Sequence, residues 1–173
     1  MQRPNRGKEF EGAIRESLEH IDGVSFDRLP DPMGKYAGVK NISDFSMFHA
    51  PDMFYLECKS LYDNTLNYKS DISKNQWDGM LTKMKIKRCV AGVCVWYIDY
   101  DITTFVPIDV LAAHRESGAK SLNISDVIDG TVKNYIIDGK KKRVLFSYFG
   151  EKFLRTLHKI SNERWGEYGS GKT

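Results

Sequence analysis

The chain has 173 residues, 41% hydrophobic and 28% charged, with a formal net charge of +3. That balance excludes a disordered or fibrous chain and suits one domain, residues 1–165, followed by a short tail over 166–173. No apolar run reaches bilayer length and the start MQRPNRGKEFEG lacks a signal-peptide core, so a cytoplasmic protein without a membrane partner is expected.

From Arg6 to Ile21, Phe10, Ile14, Leu18 and Ile21 recur at helical spacing before the stop Asp22-Gly23, which predicts an amphipathic helix. VSFDRLP reads as a strand. LPDPMGKYAGVKN is broken by Pro30, Pro32, Gly34 and Gly38 into a loop whose lysines and Tyr36 are candidates to face a ligand. Ile42–Phe48 and Met53–Ser60 read as two strands joined through HAPD into a hairpin. After a polar loop, Ser73 opens a second helix with Trp77, Met80, Leu81 and Met84 as its apolar stripe and the basic end KMKIKR.

CVAGVCVWYI is the pattern of a strand buried on both faces, and TTFVPI is expected to pair beside it. A short helix over Val110–Glu116, a strand pair from VKNYIIDG and KRVLFSYF, and a helix from Glu151 to Trp165 complete the chain. The order implies an α/β fold, a mixed central sheet flanked by helices on both faces.

The strand MFYLECKS carries two charges that its apolar neighbours do not explain. Alternation puts Tyr55, Glu57 and Lys59 on one face and Phe54, Leu56 and Cys58 on the other, which is core. Asp44 lies on the corresponding face of the preceding strand, and pairing through HAPD brings it near Glu57. Two carboxylates brought together repel, and a divalent cation between them removes the conflict. Mg²⁺ takes one or two carboxylates together with water and substrate phosphate. Lys59 can then orient water or stabilise charge developing on a phosphate, a combination suited to phosphodiester hydrolysis. The ordinary reading of E-x-K alone is a structural salt bridge.

Asp44, followed across a hairpin by Glu57-Cys58-Lys59, resembles the D…(D/E)-x-K core of PD-(D/E)xK nucleases. NRGKEFEGAI and NQWDGM resemble, more specifically, RecU-type Holliday junction resolvases of bacteria and their phages, over Asn5 to Val110. The resemblance implies a restriction-endonuclease-like core and a metal-dependent endodeoxyribonuclease that cuts four-way DNA junctions symmetrically as a homodimer. It also implies Mg²⁺ as cofactor, with Mn²⁺ able to substitute, and a bacterial cell or phage-infected host.

Asp44, Glu57 and the backbone carbonyl of Cys58 would hold the metal, and Lys59 would be the catalytic lysine. Glu11 would support the metal's water shell; its alternative is a solvated helix carboxylate. Gln76 matches the family's glutamine and equally fits the capping box SKNQ, and both readings stand. Arg6 and Lys8 are candidates for phosphate contact or for a plain exposed face, and Lys35, Lys40 and Lys74 are further candidates for DNA binding.

Two departures from the family are visible. Only Leu29–Ile42 could serve as the stalk that reaches a junction centre and partner proteins, which leaves a recombinase partner open and favours a phage version. NIS precedes Asp44 where the strict form has proline, with Ser43 at a small hydroxyl position. Other PD-(D/E)xK endonucleases acting on duplex or branched DNA, and a non-catalytic DNA-binding or recombinase-modulating protein, are the alternatives.

GEYGSGKT matches a phosphate-binding loop pattern but follows a helix and precedes none, so an accidental tail is expected. His20, His49, His114 and His158 lack zinc spacing and default to the surface. Cys58, Cys89 and Cys94 are expected as reduced core residues. GKKKR at 139–143 is expected at a hairpin tip, either as a solvated turn or as a DNA contact, and KMKIKR poses the same choice.

Overall fold

The structure is a computed structural model that describes residues 4–30 and 41–167. Tyr36, Lys35 and Lys40, most of the short stalk-like segment, and the end of the GSGKT tail lie outside the described residues. Among the described residues no helix is long and apolar enough to cross a membrane.

Helix α1 (Gly7–Leu18) is followed by strands β1 (Ser25–Arg28), β2 (Phe45–His49), β3 (Asp52–Leu61) and β4 (Thr65–Asn67), then helix α2 (Lys74–Met84) and strand β5 (Cys89–Tyr97). Strand β6 (Ile102–Pro107), helix α3 (Ile108–Glu116), strand β7 (Ser121–Asn123) and helix α4 (Ile124–Ile128) come next. Strands β8 (Tyr135–Ile136), β9 (Gly139–Lys142) and β10 (Leu145–Tyr148) lead into helix α5 (Gly150–Trp165).

The main sheet runs β1-β2-β3-β5-β6-β8. Only β3 and β5 are parallel, because α2 carries the chain across between them; the other neighbours are antiparallel. The fold is therefore mixed α/β, a central mixed sheet flanked by helices. β5 is buried at every position, as its valine-rich run requires.

The two faces are covered by different helices. Phe10 of α1 packs on Trp96 of β5, and His158 of α5 packs edge-on against Phe54 of β3. Those contacts put α1 and α5 on the face of Phe54, Leu56 and Cys58. α2 covers the opposite face, where Lys83 lies 5.1 Å from the Tyr55 ring centre and Gln76 reaches Glu57. Cys58, Cys89 and Cys94 are buried free thiols, and burial raises Cys58 well above the usual thiol range and Cys89 to about 11.

Several expected boundaries are corrected. α1 ends at Leu18 rather than Ile21, and 42–44 form a bend rather than the start of β2. The bend has a cause in α2. A Cβ on Gly79 would stand 2.1 Å from Ile42 Cγ2, and Asn75 Nδ2 donates to the Asn41 carbonyl at 3.0 Å. This close approach holds Asn41 and Ile42 against α2 and out of the β2 ladder.

The expected polar loop contains β4, which pairs with β7. The strand expected in VKNYIIDG does not pair with KRVLFSYF. Tyr135–Ile136 instead extends the main sheet beside β6, and the partner of β10 is β9, formed by Gly139–Lys142 of GKKKR. Arg143, with φ 53°, makes the tip. The expected surface positions of His49, His114 and His158 are also corrected. His49 Nδ1 and His158 Nε2 are 2.7 Å apart, and His114 Nδ1 is 2.7 Å from Tyr68 Oη.

Candidate metal and phosphodiesterase site

The β2–β3 register pairs Phe45 with Leu56, so Asp44, one residue before the ladder, stands opposite Glu57. Asp44 Oδ2 accepts the Cys58 N–H at 2.8 Å, and the Asp44 carbonyl accepts from the Leu29 N–H at 2.9 Å. A side chain thus replaces the missing ladder partner of Cys58 and anchors the first carboxylate. The N–H and C=O of one strand residue face the same neighbour. The Cys58 carbonyl therefore lies on the Asp44 side of β3.

Glu57 is 2% exposed. Its Oε1 accepts from Lys59 Nζ at 2.7 Å and from Gln76 Nε2 at 2.6 Å. Its Oε2 is buried and, among the described residues, has no hydrogen-bond partner. Burial is the largest cause that raises the Glu57 carboxyl from 4.5 to about 7; the Asp44 charge adds to it, and Lys59 and Gln76 oppose it.

Gln76 makes the capping box and also reaches Glu57. Its Oε1 accepts the Ser73 N–H at 2.9 Å, and the Ser73 hydroxyl accepts the Gln76 N–H at 3.2 Å, which completes the capping box. The amide Nε2 that remains is the group that holds Glu57. One side chain therefore couples the start of α2 to the second carboxylate, while Asn75 and Gly79 of the same helix fix the segment entering the first.

The far end of the same hairpin supplies a contrast. Asp52 is 0% exposed, yet both of its oxygens are engaged: Arg88 Nε at 2.7 Å and Ser161 Oγ at 2.5 Å meet Oδ1, while Arg88 Nη2 at 3.1 Å and His158 Nδ1 meet Oδ2. A buried carboxylate satisfied in this way is a structural anchor. Glu57 keeps one oxygen unserved beside a second carboxylate. An orphaned buried carboxylate oxygen costs free energy unless it takes up a proton or meets a cation. Asp44, Glu57 and the Cys58 carbonyl offer only oxygen donors, as Mg²⁺ or Mn²⁺ prefers. Among the described residues no group of three or more His, Cys, Asp or Glu side chains could hold a metal, so the fit is to an ion that keeps water and substrate ligands.

No family model matches the sequence, and no curated protein matches it. One solved structure to which the chain is similar is Hjc, a Holliday junction resolvase from the archaeal hyperthermophile Archaeoglobus fulgidus. The TM-score is 0.44 at 17% identity, over 60% of this chain and 78% of that one. A likeness of that extent carries no argument about activity, and the chemistry is read from this chain's own residues.

The other expected site residues are arranged as follows. The Glu11 carboxylate on α1 pairs with Arg28 Nη2 at 3.1 Å. Arg6, at the N-cap of α1, is held by Glu9 at 2.7 and 3.0 Å, and Lys74 is held by Asp78 within α2. Lys8 is exposed and has no carboxylate partner among the described residues. Asn5 Oδ1 accepts the Gly7 N–H at 2.9 Å, so the NRG motif opens α1 through a side-chain turn. Arg28, Asn75 and Gly79 did not emerge from sequence reasoning. The signal for the last two was a mid-helix glycine four residues after an asparagine, inside NQWDGM.

Proposed function

We propose that this chain is a divalent-metal-dependent endodeoxyribonuclease that resolves four-way DNA junctions. The observation that carries the metal-site reading is the buried Glu57 carboxylate, with Oε2 unpartnered, opposite Asp44 and beside Lys59. Mg²⁺, or Mn²⁺ in its place, would be held by Asp44, Glu57 and the Cys58 carbonyl and would supply a nucleophilic water at neutral pH and charge neutralisation at the scissile phosphate. Gln76 keeps Glu57 aimed, and its bond to Oε1 leaves Oε2 for the ion. Lys59 places an ammonium beside the same carboxylate, where it can stabilise negative charge building on the phosphate oxygens. Glu11 has the supporting role of orienting water, for which it would exchange its Arg28 partner.

The choice of junction over duplex rests on the NRG and NQWDGM resemblance. A two-fold junction presents two equivalent phosphates, and a homodimer would present two equivalent sites. Arg6, Lys8, Lys35, Lys40 and Lys74 are the proposed phosphate contacts. The reading keeps residues 1–165 as one nuclease domain, acting on DNA in a bacterial cell or phage-infected host.

Asp44→Asn tests it. The expected result is loss of cutting with retained binding of a synthetic four-way junction, measured by gel cleavage and by anisotropy. Cutting at the wild-type rate would overturn the site.

A further inference from the structure

An open cleft of about 220 Å³ is lined by Lys8, Glu11, Gly12 and Arg15 of α1 and by Arg28 and Phe45 of β1 and β2. It lies on the α1 side of the sheet, where Phe45 is the chain neighbour of Asp44 and Leu29, the residue after Arg28, donates its N–H to the Asp44 carbonyl. Three cations face one carboxylate. Arg28 is paired with Glu11 and Arg15 with Glu19, at 3.1 and 3.5 Å, while the Lys8 charge has no acidic partner among the described residues.

Gly12 is the unexplained residue in this cleft. It sits in the middle of α1, where glycine costs about 1 kcal/mol relative to alanine. Neither its backbone nor packing among the described residues asks for it, since its φ is not positive and a Cβ would meet none of them within 4 Å. A glycine that the protein's own packing does not need, on the floor of a cationic cleft, leaves room for something outside the chain.

We infer that this cleft binds a backbone phosphate of the DNA strand next to the one cut, with Gly12 allowing close approach and Lys8, Arg15 and Arg28 supplying the charge. The inference deepens the nuclease reading and rests on it for the identity of the ligand. A phosphate held there would position the strand against Asp44 and Glu57 without touching the reacting atoms.

The test is the affinity of a labelled four-way junction, measured by anisotropy in Ca²⁺ over a salt series for wild type, Gly12→Leu, Arg15→Gln and Lys159→Gln. Gly12→Leu and Arg15→Gln are expected to weaken binding about tenfold near 0.1 M salt, and the slope of log affinity on log salt should fall by about one for Arg15→Gln. Lys159→Gln, an exposed cation on α5, should bind as wild type. A thermal midpoint of Gly12→Leu at or above wild type, as helix propensity predicts, shows that the fold is intact. Wild-type affinity in a folded Gly12→Leu overturns the inference. Weakened binding by Gly12→Leu together with no cutting of any DNA by wild type would keep the cleft and remove the nuclease reading.

Discussion

Glu57→Gln will abolish cutting, by at least about a thousandfold, and will make the metal-free protein more stable at pH 8. The two effects share one cause. Burial and Asp44 raise the Glu57 carboxyl from 4.5 to about 7. A group whose folded pKa is raised stabilises fully below its unfolded value, and that contribution is lost as pH rises through the folded one. The metal-free protein should therefore lose stability between about pH 4.5 and pH 7, on the order of 3 kcal/mol for a shift of this size. The isosteric amide keeps a hydrogen-bonding oxygen for Gln76 and removes the charge. Urea denaturation in chelator at pH 5 and pH 8 reads the effect: the wild type should fall and the variant should stay level. An identical pH dependence in both would remove Glu57 as the strained carboxylate.

Arg88→Met should cost about 3–5 kcal/mol, the usual penalty for leaving a buried charge without its partner. Asp52, at 0% exposure, would keep only His158 and Ser161, and Arg88 would also lose its bonds to Asn162 Oδ1 at 3.0 Å and to the Gly166 carbonyl at 2.8 Å. The effect is expected in denaturation midpoint alone, because this network lies at the turn end of β3, five residues before Glu57. A variant as stable as wild type would show that Asp52 does not anchor the β2–β3 turn to α5. The pair of predictions separates two buried carboxylates that alternation patterns alone do not distinguish: removing the charge of one relieves the fold, while removing the partner of the other breaks it.

The hairpin and the pairing of Asp44 with Glu57 were legible because strand alternation is local and HAPD leaves little choice of register. The continuous apolar run of β5 told its own burial. What stayed hidden depends on contacts distant in sequence. Nothing local to NISD says that Asn75 and Gly79, more than thirty residues on, hold the chain off the ladder so that Asp44 sits on a bend. The SKNQ pattern showed a cap but could not show that one amide serves both the cap and Glu57. Tyr135–Ile136 was misassigned because a two-residue strand carries almost no periodic signal, and its pairing with β6 is set by tertiary packing. Asp52, His49 and His158 looked like turn and surface residues until α5 closed over them.

The proposed metal site of Asp44 and Glu57 would cut four-way junctions. It is tested most directly by the cleavage rate of a synthetic four-way junction against a linear duplex of matched sequence and salt, with Mg²⁺ and with chelator. Fast, paired cuts in the junction that require Mg²⁺, with slow or no cutting of the duplex, are expected. Equal rates on both substrates would contradict the junction assignment, and cutting that survives chelation would contradict the metal site itself.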